Sequence, residues 1–380
     1  MKIGISCYPT FGGSGVIASE LGMGLAERGH DVHFITYAVP GRLNTRLPGI
    51  HFHQVTVPDY PLFEYAPYSL ALASKMAECA EGEELDLIHA HYAIPHATSA
   101  LLAKQIVGGD RLKVITTLHG TDITLVGRNP SFMPIIRHTI DHSDALTAVS
   151  IFLHDEVCRT FRCNRVIKVI YNFINPRDYT DCANTKLRSQ LAPEGEKLLV
   201  HVSNFRKVKR IDDVMSLFIE IRKRVKTRLL LIGQGPELEA AIEKARNLNI
   251  DRDLIVFGNQ ENVNEIIAAA DVLILPSETE SFGMAALEAM ACGVPPVASR
   301  TGGLPEVVEH GVTGFLEEVG DVRAMTERIY SLFSDETRRR EMGARAREAA
   351  FAKFDIQTAL KAYEQLYQDT LNEKIDRQSI

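Results

Sequence analysis

The chain has 380 residues, 45% hydrophobic and 24% charged, which is more than one ordinary core holds and predicts two globular domains. Its formal net charge of −7 argues against nucleic acid as the main partner and leaves room only for a local basic patch around an anion. No apolar run nears the roughly 20 residues of a membrane span. The six cysteines (Cys7, Cys79, Cys158, Cys163, Cys182 and Cys292) form no CxxC pair and read as reduced thiols of a cytoplasmic protein.

The sequence opens directly on a strand-like run, 2–8, and no leader peptide is expected. A glycine-rich turn at 9–15 leads into a helix at 16–28, closed by Gly29. Strands at 32–37 and 51–57 flank a polar loop. The segment 59–72 carries Tyr60, Phe63, Tyr65 and Tyr68 without Lys or Arg, so it reads as a loop leading into a helix rather than a membrane surface. Strands at 85–91, 113–118, 145–150 and 167–171 then alternate with helices at 96–107 and 151–161, and 137–141 is placed on a helix. His89 and His91 share a strand face, but no carboxylate or cysteine at ligand spacing joins them, so they read as ordinary strand histidines.

Residues 174–196 are polar and predict a linker. A second alternating series follows, with strands at 198–203, 229–232, 254–257, 272–275 and 294–298 and helices near 211–225, 236–247, 263–269, 283–291 and 322–333. Residues 335–376 read as nearly continuous charged helix. Strands alternating with helices throughout predict an α/β protein of two doubly wound, Rossmann-like parallel-sheet domains facing a cleft. The boundaries expected are 1–173, a linker at 174–196, 197–355, and a helix at 356–380 crossing back to the first domain.

Five motifs sit at strand ends, where open α/β sheets bind ligands. The turn Gly12, Gly13, Ser14, Gly15 lacks the spaced dinucleotide fingerprint, and no acidic residue closes the second strand, which weighs against a nicotinamide cofactor. His119 stands in HGTD after the strand 113–118. Arg206, Lys207, Lys209 and Arg210 crowd a helix start; cations there are unfavourable unless an anion is present, which points to diphosphate binding by Arg206 and Lys209. Gly233 and Gly235 make a tight strand-to-helix turn before Pro236. In PSETESFGMAALEAMACG, Glu280 and Glu288 bracket a turn, Ser281, Phe282, Gly283 and Met284, whose backbone N–H groups suit a phosphate.

Taken together, these motifs resemble the retaining glycosyltransferases of the GT-B fold. Glu280 and Glu288 match that family's E-x7-E signature, and the likeness extends through GGSGVIASELGMGLAERGHDV and GGLPEVVEHGVTGFL to nearly the whole chain. SCYPTFGGSG, HAHYAIPHA, TTLHGTDITLVG, VIYNFI and SNFRKVKRIDD narrow it to members that transfer N-acetylglucosamine from UDP-GlcNAc to L-malate at the start of bacillithiol synthesis. The resemblance implies that Glu288 holds the ribose hydroxyls and Glu280 the donor sugar's 3-hydroxyl. Arg206 and Lys209 would hold the diphosphate with the N–H groups of Phe282, Gly283 and Met284, and His119 would lie near the sugar's 6-hydroxyl. Gly13 and Ser14 would line the diphosphate and acceptor edge, and Tyr92, Thr117, Asn172 and Arg206 would hold malate. One departure stands out. The family usually reads G-R-x(3–4)-K, whereas here Asn204 falls near the usual Arg and Arg206 sits three before Lys209. Arg206 either substitutes from a shifted position or is retasked to the acidic acceptor.

The resemblance further implies same-face attack, with the departing phosphate oxygen taking the acceptor's proton. UDP-GlcNAc and L-malate are then substrates, and no cofactor and no metal are expected, because Arg, Lys and helix N–H groups neutralise the diphosphate. Self-association is an expectation by analogy. Rival readings keep the enzyme class with an inositol phosphate or lipid acceptor, or make the protein a UDP-GlcNAc 2-epimerase or a silent sugar-nucleotide binder.

Overall fold

The apolar runs of the sequence become two all-parallel sheets. In the computed structural model the described residues are 1–372 apart from 11, 58, 60, 62, 110, 125, 126, 128, 181–184 and 261. Phe11, Tyr60, Leu125, Val126, Cys182 and residues 373–376 of the predicted last helix lie outside them. The first sheet comprises β1 (Lys2–Ser6), β2 (Asp31–Thr36), β3 (Ile50–Gln54), β4 (Leu87–His91), β5 (Lys113–Leu118), β6 (Ala145–Ala148) and β7 (Ile167–Val169). Its spatial order is β3-β2-β1-β4-β5-β6-β7. The second comprises β8 (Lys197–Val202), β9 (Thr227–Ile232), β10 (Leu254–Gly258), β11 (Val272–Leu275), β12 (Pro296–Ser299) and β13 (Phe315–Glu317), in the order β10-β9-β8-β11-β12-β13.

Central strands are buried on both faces, as helices on either side of a parallel sheet require; β4 and β11 are buried at every position. In both sheets the winding reverses beside the first strand, between β1 and β4 and between β8 and β11. A crevice opens at the carboxyl ends of strands at such a reversal. The first core gathers Ile35, Leu72, Met76, Ile88, Ala100 and Val114. The second gathers Leu199, Phe218, Leu229, Ile274, Val297 and Met325.

Three details differ from the sequence reading. The strand β13 was not read, because three residues of GFLEE carry too short a pattern to separate from the turn before them. The long C-terminal helix is two, Glu336–Lys353 and Ile356–Leu371, broken where the Phe354 carbonyl accepts from the Ile174 N–H at 2.9 Å and Ile174 bridges to Asp355. The polar stretch 174–196 is not a bare tether. It holds a 3₁₀ turn, Pro176–Tyr179, and a helix, Thr185–Leu191, and Arg188 of that helix pairs with the buried Asp271 at 2.9 Å.

By contacts the chain forms two units, one of Met1–Phe173 together with the C-terminal segment from Ile356, the other of Ile174–Asp355. Helix Ile356–Leu371 inserts Tyr363 and Tyr367, both fully buried, behind the first sheet. Tyr367 shares a hydrogen bond with His89 Nδ1 at 2.8 Å, and Tyr363 with Thr117 Oγ1 at 3.3 Å. At its rim Arg28 donates to both oxygens of Glu364, at 2.9 and 2.7 Å. Tyr367→Phe keeps the packing and strands one buried nitrogen of His89, a loss of about 1–3 kcal/mol. Urea unfolding should show that drop with an unchanged slope, and a drop below measurement error would remove the Tyr367 hydroxyl from the stabilising contacts.

Candidate active site

In the first unit, the residues at the carboxyl ends of β1, β4 and β5 form a neutral, aromatic-lined wall. β4 ends in His91 and runs into Tyr92, whose backbone is left-handed (φ 88°) and whose N–H donates to Thr117 O at 2.9 Å. Across the ladder His119 follows β5. His91 Nδ1 and His119 Nε2 share a hydrogen bond at 2.9 Å, and the Tyr92 ring lies 5.2 Å from that of His119. Tyr8, after β1, meets Tyr92 edge-on at 5.4 Å and His96 at 4.7 Å. His96 is tied to Ser6 Oγ at 2.9 Å.

Beneath this wall lies Asp122, buried. Its carboxylate accepts from the Gly120 N–H at 2.9 Å and the Ala93 N–H at 3.0 Å. One side chain thus fixes both the HGTD turn and the turn after β4. Burial pushes the Asp122 carboxyl up to about 6 against the pull of those N–H groups. Burial likewise holds His89, His96 and His119 down to about 3, so the cluster is neutral near pH 7 and can donate or accept without carrying charge.

Of the residues the sequence singled out, His119, Tyr92 and Ser14 fall at these strand ends, and Asn172 lies buried after β7. Gly13 sits at the entrance to helix Ser14–Glu27 with φ 60°. Thr117 does not join them at the surface. It is fully buried, and its hydroxyl is engaged by His89 at 2.6 Å, Thr147 at 2.6 Å and Tyr363. Thr117 shares a strand face with His119, two positions on, and with its register partner His91, but it lies one step deeper along β5, where His89, Thr147 and helix Ile356–Leu371 take up its hydroxyl. Tyr8, His91, His96 and Asp122 are additions. The His-x-His spacing of HAHYAIPH and the Asp of HGTD were the available signals.

In the second unit, three turns converge at the carboxyl ends of β8, β9 and β11. Glu280 is the node. Its Oε1 accepts from Lys209 Nζ at 2.6 Å and from Ser277 Oγ at 2.8 Å. Its backbone carbonyl accepts from the Gly303 N–H at 2.8 Å. A Cβ on Gly302 would lie 1.9 Å from that carbonyl oxygen, so only glycine lets the 301–303 turn seat against Glu280. The turn after β9 is equally tight, where a Cβ on Gly233 would lie 2.0 Å from Ser203 O. Between these turns runs the basic stretch. Arg206 is exposed and precedes the 3₁₀ turn Lys207–Lys209, while Phe205 is buried beneath it.

Gly283 (φ 106°) opens helix Met284–Ala291, and Phe282 is buried edge-on against Phe354 at 5.5 Å. Along that helix Ala286, Leu287, Ala289 and Met290 are buried, whereas Met284 and Glu288, one turn apart, are partly exposed with Ser281. The structure therefore groups Lys209, Glu280, Ser281, Phe282, Gly283, Met284, Glu288, Arg206 and Gly233 about one sheet edge. Such a cluster of cations and helix N–H groups, with carboxylates at its rim, is suited to an anionic diphosphate and its sugar hydroxyls. The sequence reading overlooks one Asp-x-Asp, Asp251–Arg252–Asp253. It precedes β10 at the opposite end of the sheet, and Asp253 there pairs with Arg222.

Comparison with known proteins agrees with this picture. The Glycosyltransferase Family 4 pattern matches residues 11–178 and Glycosyl transferases group 1 matches 183–349. Among solved structures, Anabaena HepE with UDP and glucose superposes with a TM-score of 0.81 at 21% identity, over 97% of this chain and all of that one. Sucrose-phosphate synthase from Thermosynechococcus elongatus gives 0.80 at 21%, over 98% and 99%; both likenesses concern the fold. N-acetyl-alpha-D-glucosaminyl L-malate synthase of Bacillus anthracis is 50% identical over 374 residues, 98% of each chain. Fold and site thus define a glycosyltransferase with two parallel-sheet units of GT-B type. Within that class, the chain belongs to the family of N-acetyl-α-D-glucosaminyl L-malate synthase.

The buried histidines set an acid limit on stability. His89, His96, His119 and His201 have folded values of about 3 to 4, below the ordinary 6.5, so the unfolded chain binds more protons between about pH 6.5 and 4 and stability falls as pH falls. Asp122, raised to about 6, opposes this as a single group. Urea unfolding from pH 7.5 to 4.5 should lose stability with a net slope of about two protons or more. A flat profile would contradict the neutral-histidine assignment.

Proposed function

We propose that this protein transfers N-acetylglucosamine from UDP-GlcNAc to the hydroxyl of L-malate, retaining the α configuration, as a cytoplasmic enzyme opening bacillithiol synthesis. The observation that carries the donor half is the Lys209–Glu280–Ser277 node at the winding reversal of the second sheet. It holds a cation and a sugar-binding carboxylate beside the helix N-terminus of Met284. The 50% identity over nearly the whole chain supports the acceptor.

On this reading, Lys209, Arg206 and the N–H groups at Phe282–Met284 stabilise the diphosphate as negative charge grows on it. Glu288 takes the ribose hydroxyls, Glu280 the sugar's 3-hydroxyl, and Gly233 lets backbone approach the nucleotide. In the first unit His119 lies near the sugar's 6-hydroxyl. Gly13 and Ser14 line the diphosphate and acceptor edge. Tyr92 and Asn172 contact malate, with Arg206 on a carboxylate. The sugar C1–O bond to the diphosphate breaks, and the malate hydroxyl oxygen bonds to C1 on the same face. Its proton passes to the departing phosphate oxygen, leaving UDP. No metal takes part in this scheme. The units could act in a homo-oligomer without change to it.

Purified protein with UDP-GlcNAc should yield a GlcNAc–malate adduct and UDP by mass spectrometry only when L-malate is present, at the same rate in EDTA. Product without malate would favour an epimerase, and no malate-dependent adduct would sink the acceptor assignment. Arg206→Ala should raise the malate KM roughly tenfold or more, the loss of a charged hydrogen bond. An unchanged malate KM with weakened UDP binding would confine Arg206 to the diphosphate.

A further inference from the structure

A second cluster of titratable groups lies at the other end of the first sheet, where the glycosyl transfer reading uses nothing. β2 begins with Asp31 and β3 is the sheet's edge strand. His33 and His51 are register partners across them, and strand alternation places Asp31, His33, His51 and His53 on one face. The His33 ring stacks on His51 at 4.5 Å and on His53 at 5.2 Å. His51 Nε2 lies 2.7 Å from Asp31 Oδ1, and His33 Nε2 lies 4.0 Å from Asp31 Oδ2. His33 is buried, and its Nε2 has no hydrogen-bond partner. Its other nitrogen, Nδ1, is tied to His53 Nε2 at 2.9 Å, and Glu83, just past helix Tyr68–Gly82, stands beside that pair.

We propose that Asp31, His33 Nε2 and His51 form a binding site for a borderline divalent transition metal of the Zn²⁺ class, with His53 and Glu83 as its outer support. The ligand-bearing atoms of the three residues lie within 4.8 Å of one another. Zinc–ligand bonds of about 2.0–2.2 Å require the three to draw in somewhat, and His51 and Asp31, both about half exposed, have the freedom to do so. Two imidazoles and one carboxylate suit zinc and its neighbours, whereas calcium and magnesium want oxygen. An orphaned, buried nitrogen is costly alone and is satisfied by a metal. With Nδ1–H donating to His53, the His33 Nε2 lone pair is the free one, the outer-shell arrangement that orients a metal-bound histidine. The site bonds an edge strand to its neighbour at the amino end of β2, away from the carboxyl-end crevice. Its role is therefore to stabilise the fold, not to take part in transfer.

Full-length protein stripped with chelator and then dialysed should bind one equivalent of Zn²⁺ by calorimetry. A hundredfold excess over Kd should raise Tm by about 5 °C or more. Cobalt(II) at the same site should show intense visible bands of low coordination number. His51→Ala and Asp31→Asn change the exposed ligands and should fold; each should weaken Zn²⁺ binding at least tenfold and abolish the Tm shift. His142→Ala is the control, because His138 and His142 are an exposed histidine pair stacked at 4.0 Å away from this site; it should leave both readouts intact. Absence of binding, or binding undiminished in His51→Ala, overturns the site. Since the readouts are binding and Tm, failure here leaves the proposed transfer reaction untouched, and failure of that reaction leaves this site standing.

Discussion

The second unit depends on one close approach, the seating of the 301–303 turn on the backbone of Glu280. Two groups hold the Glu280 carboxylate, Lys209 from the β8 side and Ser277 from the end of β11. A third, the Gly303 N–H, holds its carbonyl. Because Gly302 leaves no room for a side chain, the turn after β12 is fixed relative to the turn after β11. Loops would otherwise carry these groups on flexible tethers. Here the strand ends at a winding reversal are cross-braced, and the helix N-terminus at Met284 is set beside the same node.

The first unit solves its positioning problem without charge. Its strand ends carry histidines that burial keeps neutral, connected to tyrosines from helix Ile356–Leu371 and to Asp122 below. A charged imidazole in that layer would lose its hydration with no carboxylate partner near enough to replace it, apart from Asp122, which is already spoken for by two backbone N–H groups. Neutrality lets the wall donate or accept hydrogen bonds without carrying charge, while the second unit's strand ends hold the cations. The electrostatic division follows the chemistry proposed: a diphosphate needs fixed positive charge, and a neutral hexosamine ring does not.

Much of this was legible in the sequence, for a physical reason. Parallel central strands must be apolar on both faces, and the runs KIGIS, LLVHV and DVLIL say so directly. The turn residues also declared themselves, because a cation-rich helix start and an isolated Glu in the apolar helix 284–291 are costly without a ligand. What escaped depended on pairing. Thr117, placed in the site by resemblance, lies on the same strand face as His119 but one step deeper, where His89, Thr147 and Tyr363 engage its hydroxyl. Asp122 acts through backbone N–H groups that no spacing reveals. The triad of Asp31, His33 and His51 exists only through the β2–β3 register, since its members are up to 20 positions apart in sequence. The break at Phe354 and Asp355 depends on pairing with Ile174, far away in the chain.

The two basic residues kept apart by two positions are not equivalent in the folded chain, and this bears on the departure from the family's usual spacing. Lys209 is partly buried and already neutralised by Glu280 at 2.6 Å, so a diphosphate gains from it only by sharing it with that carboxylate. Arg206 is exposed at the end of the β8 turn, held there by the buried Phe205 beside it, and its planar fork matches either a phosphate or a carboxylate in two-point fashion. A lysine in the same place would lack that geometry. Asn204, at the usual arginine position, is as exposed as Arg206, so the shift moves the bidentate cation two residues along the turn without burying it. On the proposed reaction, an exposed guanidinium there suits either a phosphate or a carboxylate.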